Sequence, residues 1–178
     1  MDNSNILETE RLILRPVSLN DSDGMFALDS DPEVHRYLGD KPINTKSEAI
    51  KIIEMLLEQY DKFGIARWAI ISKYSEEFIG WSGLKFIDKM TNSHINYYDI
   101  GYRIRQNFWG HGYAYESANA WINYAKAIID ADALYAITHM DNLQSQNVLR
   151  KCNFSQKNTF QEIIHNKPIN CIWHELIL

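Results

Sequence analysis

The run "NYYDIGYRI" reads as a strand that passes through a turn carrying Gly110 and Gly112 into a helix from Tyr113 to about Ile129. In that helix Ala114, Ala118, Trp121, Ile122, Ala125, Ile128 and Ile129 recur at the helical period. A buried-type strand, "ALYAIT", follows. Strand, helix and strand in that order make a βαβ unit, whose two strands lie parallel with a right-handed crossover. Any sheet built by this chain must accommodate that pair.

The flanking segments surround it with antiparallel strands. "RLILRPV" reads as a first strand stopped by Pro16, and "SLNDSDGMFALDSDPEVHRYL" as two short helical pieces, the second capped by Asp31 with Pro32 at its first position. In "NTKSEAIKIIEMLLEQYDKFG", Thr45 and Glu48 have capping-box spacing. Ala49, Ile52, Ile53, Leu56, Leu57 and Tyr60 form an apolar stripe there, and Gly64 is the stop. "RWAIIS" and "EFIGWSGLKFI" join through "KYSEE", and "INYYDIGYRI" follows the turn-like "DKMTNSH", which implies an antiparallel meander. "NLQSQNVLRKCNF" is a short helix ending near Asn153. "SQKNTFQEII" and "INCIWHELIL", separated by "HNKP", make a C-terminal hairpin. The expected fold is α/β: a single domain over residues 1–178, with a mixed, mostly antiparallel sheet of six or seven strands and about four helices.

Charge narrows the function. Lys and Arg total 18 against 23 Asp and Glu, so the net charge is −5. That balance disfavours nucleic acid, which needs a concentrated basic face, and an anionic membrane surface. The N-terminus lacks the apolar core of a signal peptide, and no apolar run reaches the roughly 20 residues that cross a bilayer. Two cysteines, Cys152 and Cys171, do not make a disulfide framework, so a cytoplasmic protein is expected. The six histidines show no metal-ligand spacing, and no metal is expected.

Glycines at a helix mouth suit an anion, because the first N–H groups are unpaired and the macrodipole is positive there. Two familiar phosphate motifs fail: Tyr115 stands where a dinucleotide fingerprint has its third glycine, and Gly112-Tyr113-Ala114 replaces the Gly-Lys-Ser/Thr of a P-loop. Alone, a Gly-x-Gly turn is as well explained by packing. "DIGYRIRQNFWGHGYAYES" followed about thirty residues later by "NLQSQNVLRKCNF" resembles the GCN5-related N-acetyltransferase (GNAT) family. The opening "ETERLILRPVSLNDSDGMFALDSDPEVHRYLG" is similar to the branch holding the ribosomal-protein N-terminal acetyltransferases (RimJ/RimL-like), and the resemblance runs from about Glu8 to the C-terminus.

The resemblance implies an acetyl-CoA-dependent N-acetyltransferase acting on a protein N-terminus or a small amine, by direct attack in a ternary complex. The backbone from Trp109 through Gly110, His111, Gly112 and Tyr113 to Ala114 would wrap the pyrophosphate. The strand edge Arg103, Ile104 and Arg105 would pair with the pantetheine arm where the family's fourth and fifth strands splay. Asn142 matches the asparagine that bonds the cofactor. Asn147 and Lys151 stand where side chains reach its phosphates or adenosine, and Arg105 and His111 could add charge. Asn107 replaces a frequent Gln or Arg, Asn153 replaces a glycine while still suiting a left-handed helix end, and Leu149 occupies the place of a tyrosine general acid. Glu116 is a candidate base, or a carboxylate stabilising the helix start. Ser145 is a candidate acid, or a helix-start hydroxyl or cofactor contact. Acceptor choice would rest with residues 21–63 and the C-terminal hairpin, which could also pair across a homodimer. The competing reading is a non-catalytic acyl-CoA-binding sensor or scaffold.

Overall fold

The computed structural model describes residues 6–164 and 166–178. Its strands are β1 (Leu7–Glu8), β2 (Leu12–Pro16), β3 (Arg67–Ser72), β4 (Phe78–Ile87), β5 (Tyr97–Ile104), β6 (Ala133–His139), β7 (Ser155–Ile164) and β8 (Lys167–Ile177). The helices are α1 (Ser22–Asp29), α2 (Pro32–His35), α3 (Lys46–Phe63), α4 (Tyr113–Ile128) and α5 (Leu143–Lys151). All eight strands join one sheet in the order β1-β2-β3-β4-β5-β6-β8-β7. Among the described residues only β5 and β6 are parallel, the pair that the βαβ unit requires. The sheet thus exceeds the expected six or seven strands by the two-residue β1, which pairs with β2 and is too short to show alternation. The described residues form five α-helices against about four expected, with α1 and α2 as the two short pieces read from the sequence.

Local chemistry sets most element ends. The Thr45 hydroxyl accepts from the Glu48 N–H while the Glu48 carboxylate accepts from the Thr45 N–H, and Gly64 closes α3 in the left-handed region at φ 69°. Asn153, at φ 65°, ends the α5 segment as a glycine would. β5 starts two residues later than the sequence suggests because Asn96 takes φ 57°, outside strand geometry. The C-terminal turn is tighter than "HNKP": Lys167 and Pro168 belong to β8, and Asn166 takes φ 63°.

Two apolar layers hold the sheet. On one face α4 buries Ala118, Trp121, Ile122 and Ala125 with Leu149, Phe154 and strand residues such as Ile100 and Leu134. Trp121 meets Trp68 edge-on at 4.8 Å, and its indole N–H donates to the Ser82 hydroxyl at 3.1 Å. On the other face α1 and α3 bury Met25, Leu28, Ala49 and Ile53 against Ala69 and Phe78. β4 crosses very close to β5: a Cβ at Gly80 would run into the main-chain carbonyl of Arg103. The start of α1 is tied to β2 by Arg15, whose two terminal nitrogens reach Asp21 at 2.9 and 2.7 Å. Burial alone would raise the Asp21 pKa, but the Arg15 fork and the Ser18 N–H outweigh it and hold that carboxyl below its usual range.

Two outcomes follow from this packing. Gly80→Ala should lower the thermal midpoint by roughly 3–10 °C in a circular dichroism melt, since overpacking against a main-chain atom has no cheap relief. The Asp21 contribution to stability is complete above its unfolded pKa of about 3.9 and is lost as the pH falls through the lower folded value. Asp21→Asn should therefore lower the midpoint at pH 7 and flatten its decline between about pH 4 and pH 2; parallel acid limbs for the two proteins would contradict this.

Candidate active site

After β5 the chain makes a short 3-10 turn, Gln106–Phe108, and then bends through Gly110 at φ 79° and Gly112 at φ 82° into α4. Both glycines take left-handed geometry, where a Cβ would be strained. Among the described residues no side chain caps α4, and the first N–H groups of a helix have no partner within it. Trp109 is half-exposed and closes the loop from behind, its indole N–H donating to the Ile104 carbonyl at 2.7 Å. His111 is exposed and stacks on Tyr113, with ring centres 5.8 Å apart.

Beside this loop the sheet comes apart. β5 and β6 pair only at Tyr98 with Leu134 and Asp99 with Tyr135. Beyond those positions β5 keeps its β4 partner as far as Ile104, while β6 continues to His139 paired with β8. The Arg105 N–H donates to the Ile79 carbonyl at 2.9 Å, which fixes which residues face which way. Arg103 and Arg105 turn their main chain toward β4, whereas Tyr102 and Ile104 turn theirs toward the gap. Of the expected edge Arg103–Arg105, Ile104 turns its main chain toward the gap, with Tyr102 next on that side, while Arg103 and Arg105 turn theirs toward β4. The Ile104 side chain is buried, and the Arg105 guanidinium folds back to the Phe78 carbonyl at 3.0 Å.

The start of α5 faces the same gap. Asn142 caps that helix, its side-chain oxygen accepting from the Ser145 N–H at 3.1 Å. The Tyr102 hydroxyl lies 3.0 Å from both the Ser145 carbonyl, to which it donates, and the Ser145 hydroxyl. Burial pushes the Tyr102 phenol well above its usual range, so it stays protonated. Asn147 accepts from Arg150 at 2.8 Å, and Lys151 is exposed. Leu149 is buried in the core and offers no acid.

Glu116 is fully engaged elsewhere. One carboxylate oxygen accepts from the Thr9 hydroxyl at 2.5 Å and the Arg11 main-chain N–H at 2.9 Å; the other accepts from Arg11 Nε at 2.7 Å. Burial acts against the charged form, but these bonds prevail and lower its pKa. A carboxylate so saturated is a poor proton acceptor, which disfavours the base, and both of its oxygens bind the N-terminal segment, tying the first turn of α4 to Thr9 and Arg11.

The opposite face of β5 presents a charged cluster. Arg103 pairs with Asp29 of α1, whose same oxygen lies 3.3 Å from His35 Nε2, and the Arg103 guanidinium sits 4.9 Å from the Trp81 ring. Asp29 Oδ2, His35 Nδ1 and Arg103 Nε are buried without partners. Arg67 pairs with Asp99 on the same floor, and Tyr37 packs on His139 at 5.2 Å, so the α2 segment touches the end of β6. Two surface concavities, of about 590 and 400 Å³, are lined by no residue of β5 or β6: the first lies between the N-terminal segment and α4, the second between α5 and the C-terminal strands. Arg11, Tyr102 and the Asp29–His35 pair are functional candidates without a local sequence signal: each owes its place to a partner distant in the chain or on another element.

Comparison with known proteins agrees with this geometry. Residues 11–155 match the acetyltransferase (GNAT) domain. The chain is 30% identical over 156 residues to the uncharacterized N-acetyltransferase p20 of Bacillus licheniformis, covering 88% of this chain and 85% of that one. It is 28% identical over 158 residues to the FsC-acetyl coenzyme A-N(2)-transacetylase of Aspergillus fumigatus, covering 86% and 66% of the two chains. The fold superposes on RimL, a ribosomal L7/L12 alpha-N-protein acetyltransferase solved with coenzyme A, with a TM-score of 0.80 at 16% identity and 98% coverage of both chains. A strand gap beside an uncapped, glycine-led helix, on a chain matched by that domain across most of its length, makes this protein a member of the GNAT acetyltransferase family.

Proposed function

We propose that the protein transfers the acetyl group of acetyl-CoA to a primary amine, either a protein N-terminal α-amine or a small-molecule amine. One observation carries the reading. The uncapped start of α4, behind two left-handed glycines, stands beside strand β5, whose Tyr102 and Ile104 main chain has lost its parallel partner. The first suits a diphosphate and the second an amide-bearing pantetheine arm, laid in like an added strand. The relatives named for α-N-protein and N(2)-amine acetylation support the two acceptor classes.

In the reaction the amine nitrogen forms a bond to the thioester carbonyl carbon, the C–S bond breaks, and the amine proton leaves. Main-chain N–H groups at the gap would stabilise the oxyanion. Ser145, whose hydroxyl lies 3.0 Å from the Tyr102 hydroxyl, would protonate the CoA thiolate. An α-amine has a pKa of about 8, so about a tenth is neutral at pH 7, against under about a thousandth of lysine side chains. The first class therefore asks little of a base, which fits a site whose one helix-start carboxylate is already consumed. Asn142 orders the α5 start on the gap, while Asn147, Lys151 and His111 would meet the nucleotide end. A cytoplasmic setting suits the free, buried thiols of Cys152 and Cys171. Strand β7, at the sheet edge, would serve pairing with a second copy.

Gly112→Val, which forces a β-branched residue to φ 82°, should raise the CoA dissociation constant at least about tenfold by calorimetry; an unchanged value would remove the loop from the site. Ser145→Ala should lower kcat about 100-fold with CoA affinity within about twofold, and Tyr102→Phe should show a smaller loss of the same kind. A thiol-release assay over a panel of peptides and amines reads both. CoA binding with no turnover on any acceptor would instead favour a sensor.

A further inference from the structure

Among helix starts that could take a diphosphate, α4 carries a built-in competitor. Glu116 is its fourth residue, and helical side chains lean toward the N-terminus, where a carboxylate binds the same N–H groups and the same positive dipole that an anion needs. The carboxylate does not do so here. The Thr9 hydroxyl and the Arg11 main chain hold one oxygen, and Arg11 Nε and Nη2, each at 2.7 Å, hold the other. The same guanidinium donates through Nη1 to the His111 carbonyl at 2.9 Å and lies 4.7 Å from the centre of the Tyr113 ring. In a trans peptide the C=O and the next N–H point in opposite directions. By fixing the His111 carbonyl, Arg11 therefore aims the Gly112 N–H away from itself, toward the open side of the loop.

The geometry points to Arg11 as a positioning residue for diphosphate binding: with Thr9 it withdraws Glu116 from the α4 N-terminus and sets the His111–Gly112 peptide so that the loop N–H groups stay free for the cofactor. This rests on the reading of the loop as the CoA diphosphate site. Arg11 itself touches no substrate. Its three attachments leave the loop preorganised, which removes an ordering cost from binding. An ordinary tether of the N-terminal segment would affect stability and every ligand alike; a diphosphate-positioning role acts on ligands that carry the diphosphate.

The test compares CoA with pantetheine, which lacks the diphosphate, by titration of the wild-type and variant proteins followed by NMR and calorimetry. Arg11→Gln should raise the dissociation constant for CoA about tenfold, the scale of losing a charged hydrogen-bond set, and leave that for pantetheine within about twofold. Arg11→Lys, which keeps the charge but not the fork, should rescue little of the loss. Thr9→Val, which removes one bond to Glu116 and keeps Arg11, should shift CoA affinity about threefold in the same direction, and it serves as the test if the Arg11 variants do not fold. Equal losses for CoA and pantetheine, full rescue by lysine, or CoA affinity unchanged in Arg11→Gln or Thr9→Val would each overturn the proposal. Wild-type protein that ignores CoA altogether would overturn the loop reading beneath it, a distinct result visible before any variant is made.

Discussion

Main-chain hydrogen bonding between β5 and β6 stops after two residue pairs, in the middle of an otherwise continuous sheet. Unpaired N–H and C=O groups in a sheet interior are costly unless something else satisfies them. At this gap the Trp109 indole takes the Ile104 carbonyl, and a strand-like ligand would pair with the rest of the edge. Everything around it keeps the strands apart. β4 holds β5 on one side through Ile104, β8 holds β6 on the other through His139, and the α5 start is fixed between them by Asn142 and by the Tyr102–Ser145 contact. The gap is a consequence of well-made neighbours.

The glycine loop takes its form partly from the N-terminal segment. Glycine conformations at 110 and 112 provide the curvature, while Arg11 and Thr9, distant in the chain, hold His111 and Glu116. The other face of β5 is organised separately, through buried charge. Arg103 is tied to Asp29, and Arg67 to Asp99, so α1 is coupled to β5. Burying such pairs gains little net stability.

Features governed by local periodicity and capping were legible in the sequence. The α3 stripe with its Thr45–Glu48 box, the α4 stripe around Trp121, the Asp31 cap and the left-handed Asn153 all follow from neighbours within a few residues. The parallel pair followed from connectivity. What was not legible depends on contacts across the fold. Nothing near Arg11 in sequence indicates Glu116, and nothing near Glu116 says its carboxylate is already satisfied. The choice between Arg103 and Ile104 as the gap-facing residue is a matter of pairing parity, set by the Arg105 bond to Ile79. β1 is two residues long and exists only because β2 offers it an edge.

The central claim is that loop amides and the parted edge of β5 share one ligand. Amide chemical shifts of uniformly 15N-labelled protein, followed as CoA is added, test it most directly. Large, saturating changes are expected at Gly110, Gly112, Tyr113 and Ala114 together with Tyr102 and Ile104. Shifts confined to the concavity between α5 and β7, around Gln146, Arg150 and Gln156, or an unchanged spectrum, would contradict it.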